Sequence, residues 1–349
     1  MKFEISSLKE FDYHEEVIFF SDKKSGLRAF IAIHNTALGP ATGGTRYQHY
    51  HSEQEALEDA LRLSKSMTYK CALAQVPFGG GKAVITSDPT QNKRLILKTF
   101  AKKINLFNGH FTTGEDVGLD QKDIELMQSA SPFINGRPGL AGDLSPWAAL
   151  GVFAAIQSAL KFRFNSATIK NRSFAIKGVG KVGMELCKLL YKVGGIITVT
   201  DVDANRLKLL NKMFPKIKTV PPRDIHKQKV DVFSPCALNG DLNSGMIAKL
   251  RCKIVCGAAN NQLASPEMAE ILNKLRIIYI PDYIANAGGL INAVAELRKE
   301  GYDRNWVKTR VSKIGSTVKN ILALSKKQKK SPLVIANLLA EKVIQKRHA

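Results

Sequence analysis

The sequence predicts an α/β protein of two domains, a reading that rests on three observations. The chain has 349 residues, enough for two domains of roughly 150 residues each. Apolar residues make up 44% and charged residues 23%, the balance of a folded protein and not of a disordered one. From about Ser145 onward, short apolar strands alternate with amphipathic helical stretches, which is the rhythm of a parallel sheet with crossover helices. No internal repeat interrupts that pattern.

The first third mixes strands with turn signals. Residues 27–33 alternate like a strand, and Gly39-Pro40-Ala41-Thr42-Gly43-Gly44 reads as a glycine-rich loop. Ser52 and Glu55 form a capping box, opening a helix whose apolar face is Ala56, Leu57, Ala60, Leu61 and Leu63. The pattern predicts an end to that helix near Lys70, a strand over residues 71–76, a link through Gly79-Gly80-Gly81-Lys82, and a strand over residues 83–86.

In the second part, strands are predicted over residues 173–177, 196–200, 231–233, 254–256 and 277–280, with an amphipathic helix over 184–193. After Gly288 the pattern is helical, and Ser331-Pro332 opens a last helix with an N-cap and a first-turn proline.

Several classes are disfavoured at once. The N-terminus turns acidic at Glu15-Glu16, unlike a signal peptide, and the apolar stretch 147–160 is too short for a bilayer and carries Gln157. The five cysteines form no Cys-x-x-Cys pair, which suits reduced thiols in a cytoplasm. The net charge of +22 invites a nucleic-acid reading, and half of that excess lies after Leu297. Aromatics are sparse there, Trp306 being the main one, and no nucleic-acid motif is present, so neither nucleic acid nor a membrane is expected as partner. His49 and His51 flank Tyr50 as a solvated pair, and Cys252 and Cys256 have no nearby third ligand, so no metal site is expected.

Gly178-Val179-Gly180-Lys181-Val182-Gly183 fits the dinucleotide fingerprint. Alone the pattern is weak, but here it follows a strand, opens a helix, and precedes an acid, Asp201, at the end of the next strand. Gly178 allows the tight turn, Gly180 the approach of the pyrophosphate, and Gly183 close helix packing. The helix N-terminus offers N–H groups and a positive dipole end to the phosphates. Asp201 can accept from ribose hydroxyls and repel a 2′-phosphate, which favours NAD over NADP; Arg206 nearby works against that preference, and Asp201 could instead be a turn residue.

Three other segments hold polar groups where chains seldom bury them: Met67-Thr68-Tyr69-Lys70, Gly79-Gly80-Gly81-Lys82 and Gly114-Glu115-Asp116-Val117-Gly118. The second is not a phosphate-binding loop of the Walker type, since Val76 stands for its first glycine and Ala83 for its Ser or Thr. Taken singly, each lysine reads as an ordinary surface residue. Taken together with the stretch from Leu38 to Arg46, Ser145-Pro146, Pro235-Cys236-Ala237-Leu238, Gly257 to Leu263, Pro281-Asp282-Tyr283 and Ala285 to Asn292, the chain resembles the glutamate/leucine/phenylalanine/valine dehydrogenase family, collinearly from about residue 20 to the end.

That resemblance implies a catalytic and oligomerisation domain, residues 1–143 plus 330–349, a Rossmann-type NAD-binding domain, residues 144–329, and an active site in the cleft between them. It implies that Lys70 holds the substrate α-carboxylate, that Lys82 activates the water attacking an imino intermediate, and that Asp116 exchanges protons with the amine. Asn260, Asn261 and Asn286 would contact the cofactor or substrate. Ala148 departs from a Thr usual in the family, which removes one hydrogen bond to the nicotinamide amide.

Gly43 and Gly44, with Thr42, Gly114, Leu290 and Ala293, are substrate-pocket positions by the same resemblance. Glutamate-type members carry a Lys where Thr42 stands and a hydroxyl where Ala293 stands, so an apolar L-amino acid is expected. The branched-chain class comes first, and phenylalanine is the alternative because Gly114 and Leu290 are phenylalanine-type choices. The expected reaction is reversible oxidative deamination to a 2-oxo acid and ammonia, by a homo-oligomer. More distant readings are a non-catalytic NAD-binding protein and a basic nucleic-acid-associated protein on the same scaffold.

Overall fold

The computed structural model describes residues 4–88, 90–137, 139–237 and 240–348, without the side chains of 347 and 348. It divides into two compact units: residues 1–142, 293–302 and 340–349, and residues 143–292 with 303–339. Leu238, within one of the matching stretches, lies outside the described residues.

The first unit contains β1 (Glu16–Asp22), β2 (Leu27–Asn35), β3 (Ala41–Gln48), α1 (Glu53–Ala74), β4 (Gly79–Thr86), α2 (Lys93–Ile104), β5 (Phe111–Gly114) and α3 (Gln121–Gln128). The strands form one sheet in the order β1-β2-β4-β3-β5. The β1–β2 and β2–β4 pairs are antiparallel, whereas β3 runs parallel to both β4 and β5. Each face has its own core. Ala29, Ile31, Ile33, Ala83 and Ile85 pack with Ile96, Leu97 and Phe100 of α2, while Phe30, Ala32 and Val84 pack with Ala56, Leu57, Ala60 and Leu61 of α1. Neighbouring residues of β2 and β4 thus point to opposite cores, as a pleated strand requires.

The structure differs from the sequence expectation at three loops and ends. The glycine-rich stretch at residues 39–44 is largely strand, since β3 begins at Ala41, and residues 79–82 start β4 instead of linking two strands. Helix α1 continues to Ala74, where Gln75 closes it in the left-handed conformation at φ 55°; residues 71–76 form no strand. Cys71, Ala72 and Leu73 are all buried, and a short apolar run fits a buried helix end as well as a strand. The capping box at Ser52 is also incomplete. Ser52 accepts from Glu55 N, but Glu55 reaches His51 N at 2.9 Å in place of Ser52 N.

The second unit holds α4 (Ser145–Phe164), β6 (Ser173–Lys177), α5 (Lys181–Lys192), β7 (Ile196–Thr200), α6 (Ala204–Met213), β8 (Lys218–Thr219), β9 (Val232–Pro235), α7 (Ser244–Ile247), β10 (Ile254–Val255), α8 (Glu267–Lys274), β11 (Ile278–Tyr279) and α9 (Asp282–Ala285). Helices α10 (Gly288–Val294), α11 (Arg304–Gln328) and α12 (Pro332–His348) follow. The sheet order is β11-β10-β9-β6-β7-β8, and every pairing is parallel. The order reverses at β6, where a doubly wound sheet binds its ligand at the carboxyl ends of the strands. At the start of α12, Ser331 gives its hydroxyl to Glu270 of α8, and Tyr283 donates to Asn337 at 2.7 Å. Among the described residues, no helix is long and apolar enough to cross a membrane.

Candidate active site

In the first unit, strand alternation decides where Lys82 goes. Val84 enters the core beneath α1, so Gly80 and Lys82, at the same parity on β4, share that side. A methyl at Gly80 would fall 2.1 Å from Thr68 N, so glycine there lets α1 lie directly against the strand. Helix α1 in turn contributes Asp59, Thr68 and Lys70, all buried.

Lys82, only 3% exposed, donates from Nζ to Asp116 Oδ2. Asp116 sits just after β5 and is tucked against β3 because residue 44 is glycine: a methyl at Gly44 would stand 2.9 Å from Asp116 Cβ and from Glu115 O. Val117 N donates to Asp116 Oδ1 at 2.5 Å. Arg46, from β3, places Nε 3.6 Å from that same oxygen and donates from Nη1 to Asp59 Oδ2 at 2.8 Å. Tyr50 also donates to Asp59 Oδ2, at 2.7 Å, and Arg62 contacts Asp59 Oδ1.

The electrostatics follow from this packing. Burial alone would raise the Asp116 carboxyl, but the charges of Lys82 and Arg46 outweigh burial and hold it well below the usual carboxylate range. Burial and the Asp59 carboxylate push the Tyr50 phenol up, so it remains a donor. The cluster joins three cations (Arg46, Arg62 and Lys82) to two carboxylates (Asp59 and Asp116). Its excess positive charge suits an anionic group such as a carboxylate, and its amine and carboxylate can take and give protons.

Around this cluster, Thr42 is buried and accepts from Thr112 at 3.0 Å. Asn135 Nδ2 lies 3.5 Å from Thr112 Oγ1. Gly43 permits close strand pairing, its hypothetical methyl lying 1.8 Å from Gly81 O. A methyl at Gly114 would come 3.3 Å from Asn135 O. Leu290 and Ala293 both lie half-buried on α10, the former in the second unit and the latter in the first.

In the second unit, Gly178 adopts φ +96°, a conformation that favours glycine. A methyl at Gly183 would meet Gly178 O at 2.1 Å, whereas at Gly180 the nearest atom would be Arg206 Nη1 at 3.7 Å. The three glycines therefore divide their tasks: a turn, an open space, and a close packing of α5 on the turn. Val179 is buried, and Lys181 and Val182 form the first residues of α5, whose N-cap is Gly180. Asp201 follows β7 and accepts from Val179 N at 2.7 Å and Asp203 N at 2.9 Å. Arg206 Nη1 is 3.9 Å from Asp201 Oδ1.

Beyond β10, Asn286 donates to Ala258 O at 3.0 Å and to Asn260 Oδ1 at 2.7 Å. Its own Oδ1 and the buried Nδ2 of Asn261 have no protein partner. Buried polar atoms without partners are few in native proteins. These, with the open space at Gly180 and the N–H groups at the start of α5, fit a bound dinucleotide. Among the described residues, no group of three His, Cys, Asp or Glu side chains could hold a metal ion.

Arg46, Asp59 and Tyr50 were not singled out by sequence reasoning, although Arg46 closes one of the matching stretches. A signal was available for Asp59, an acid on the apolar face of α1 beside Ala56, Ala60 and Leu63.

A turn of this kind serves a dinucleotide, and a buried amine against a carboxylate handles protons; a chain carrying both is a dehydrogenase. It belongs to the glutamate/leucine/phenylalanine/valine dehydrogenase family, whose models match residues 14–132, the dimerisation domain, and residues 145–348. The chain is 39% identical to leucine dehydrogenase of Geobacillus stearothermophilus over 342 residues, 97% of this chain and 92% of that protein. It is 42% identical to phenylalanine dehydrogenase of Caldalkalibacillus thermarum over 342 residues, 96% and 92% of the two chains. The crystal structure of L-tryptophan dehydrogenase from Nostoc punctiforme superposes with a TM-score of 0.82 at 38% identity, covering 96% of this chain and 97% of that one. The protein is thus an amino-acid dehydrogenase, an oxidoreductase acting on the CH–NH2 group, of an NAD(P)-dependent family.

Proposed function

We propose that the protein catalyses the NAD-dependent, reversible oxidative deamination of an apolar L-amino acid, the leucine, valine and isoleucine class foremost. The observation that carries this reading is the buried Lys82–Asp116 pair set against Arg46. In the proposed mechanism Lys70 holds the α-carboxylate. Asp116, held ionised by Lys82 and Arg46, relays a proton from the substrate ammonium to solvent so that the free amine can react. Lys82 orients the water that adds to the imine and, once its own ammonium proton has passed to solvent, takes a proton from that water; the ammonium so re-formed stabilises the negative charge that develops on the carbinolamine oxygen. When bound, the dinucleotide accepts the hydride from the substrate α-carbon. Gly178 to Gly183 and Asp201 would hold its pyrophosphate and ribose, and Asn260, Asn261 and Asn286 its nicotinamide end.

The preference for NAD rests on Asp201. Its two oxygens receive backbone N–H groups, which leaves an ionised acceptor for ribose hydroxyls and a charge that repels a 2′-phosphate. Glutamate is disfavoured because Thr42 is neutral and its hydroxyl is already bonded to Thr112. A side-chain carboxylate there would be buried without a charge partner. Phenylalanine is the second reading, supported by Gly114 and Leu290, which resemble the choices of phenylalanine-type members, and by relatives of that name at similar identity. A homo-oligomer is supported by the family's dimerisation domain over residues 14–132. The free thiols suit a cytoplasmic setting.

The decisive experiment is a panel of leucine, valine, isoleucine, phenylalanine and glutamate with NAD⁺, read as kcat/KM. Turnover of an apolar member is expected, and glutamate as best substrate overturns the reading.

A further inference from the structure

We propose that the second unit carries a binding site for a small oligophosphate, separate from its dinucleotide turn. A cavity of about 670 Å³ opens beside the ends of three helices, α4 at Phe164, α8 at Lys274 and α11 at Gln328. Its volume is that of an ordinary small-molecule pocket. Six cations line it (Lys161, Arg163, Arg276, Lys326, Lys329 and Lys330) and no carboxylate does. Among the described residues none of the six forms an ion pair. Leu322 and Ile277, both buried, supply apolar wall.

Basic side chains at helix C-termini are ordinary, because they complement the dipole. The charge gathered at this cavity goes well past that role. Each helix end presents about half a negative charge, so three ends offset roughly one and a half of the six positive charges. About four and a half remain, gathered around one cavity. Among the described residues, Lys161 alone of the six binds a helix-end carbonyl directly, at Asn165 O, 2.8 Å away.

The backbone fixes where two of these cations stand. Arg276 and Lys329 adopt φ +57° and +54°, left-handed positions that close the ends of α8 and α11. Two of the cations therefore stand at helix ends on the rim of one cavity. A lone carboxylate or monophosphate would leave most of the excess charge unanswered. An anion with three or so phosphoryl groups matches it, and offers many acceptor oxygens to guanidinium and ammonium donors. A nucleic-acid strand would want stacked aromatics, and Phe162 is the single aromatic side chain here.

Calorimetric titration of the full chain with inorganic tripolyphosphate, at about 0.15 M salt and with saturating NADH, tests the site without recourse to turnover. One tripolyphosphate per chain is expected. Arg163→Gln with Lys326→Gln should weaken it at least tenfold, while Lys102→Gln with Lys103→Gln, in the first unit, should leave it unchanged. Thermal melts of both double variants confirm that each is folded. Competition by ATP would identify a nucleotide as the natural source of the phosphates, and its absence a free oligophosphate. No saturable binding, equal weakening by both double variants, or binding of an oligonucleotide but not of tripolyphosphate would each overturn the proposal.

Discussion

Replacing Lys82 with alanine separates chemistry from folding. Its amine is buried against Asp116, and stripping one partner from a buried pair ordinarily destabilises by about 3–5 kcal/mol. Here a second cation stays in place. Arg46 Nε stands 3.6 Å from Asp116 Oδ1, and at an effective dielectric of about 20 that attraction is worth ~4–5 kcal/mol before desolvation. Asp116 in Lys82→Ala therefore remains ionised on Arg46, and the loss of stability should be nearer 2 kcal/mol. Catalysis has no such substitute. A lost general base costs about 10²–10⁴ and a lost stabiliser of the oxyanion about 10²–10³, and groups acting as one unit do not add. The expected fall in kcat is about four orders of magnitude. NADH fluorescence titration should give a near-normal Kd, since residues 178–183 and Asp201, proposed to hold the dinucleotide, belong to the other unit. More than a tenth of wild-type turnover in a folded Lys82→Ala would refute the role given to Lys82.

The Asp201 carboxylate should make kcat/KM for NAD⁺ exceed that for NADP⁺ by about 10–100-fold; equal values would show that Arg206 has overridden it. Gly44→Ala places a methyl 2.9 Å from Asp116 Cβ and should lower kcat about 100-fold by displacing the carboxylate; unchanged kinetics would remove Asp116 from the mechanism. Burial pushes His14 down to about 4 from its ordinary 6.5, and the hydrogen bond to Leu61 O offsets this only in part. Because the folded value lies below the unfolded one, its contribution is full above pH 6.5 and is lost as pH falls from 6.5 toward 4, by about 2 kcal/mol. Denaturant titrations of His14→Gln should therefore show a shallower decline across that window, and a decline equal to the parent's would refute the assignment.

The second unit was the more legible. Strands β6 and β7 lie where alternation between strand and helix placed them, because a buried parallel sheet writes short apolar runs between turn signals. The glycine turn at residues 178–183 was legible for a related reason, since Gly178 and Gly183 each answer a separate local demand. The polar atoms of Asn261 and Asn286 that lack protein partners could not be read in this way. Whether a buried amide is satisfied depends on residues brought together from distant segments, here Ala258, Asn260 and Asn286.

The first unit was misread at its glycines, and the error bears on its chemistry. Composition assigns Gly39 to Gly44 and Gly79 to Gly81 to loops, because glycine is rare inside strands. In β3 and β4 the glycines stand where a side chain would separate neighbours: Gly80 from α1, Gly43 from Gly81, Gly44 from Asp116. Strands stripped of side chains can bring a helix carrying Lys70 and a loop carrying Asp116 against the sheet that bears Lys82 and Arg46. The buried charges are then stabilised by one another, which a looser sheet with water between its layers would not achieve. Glycine content and the lysine–aspartate cluster are thus one feature of the unit, and their separation along the sequence hid it.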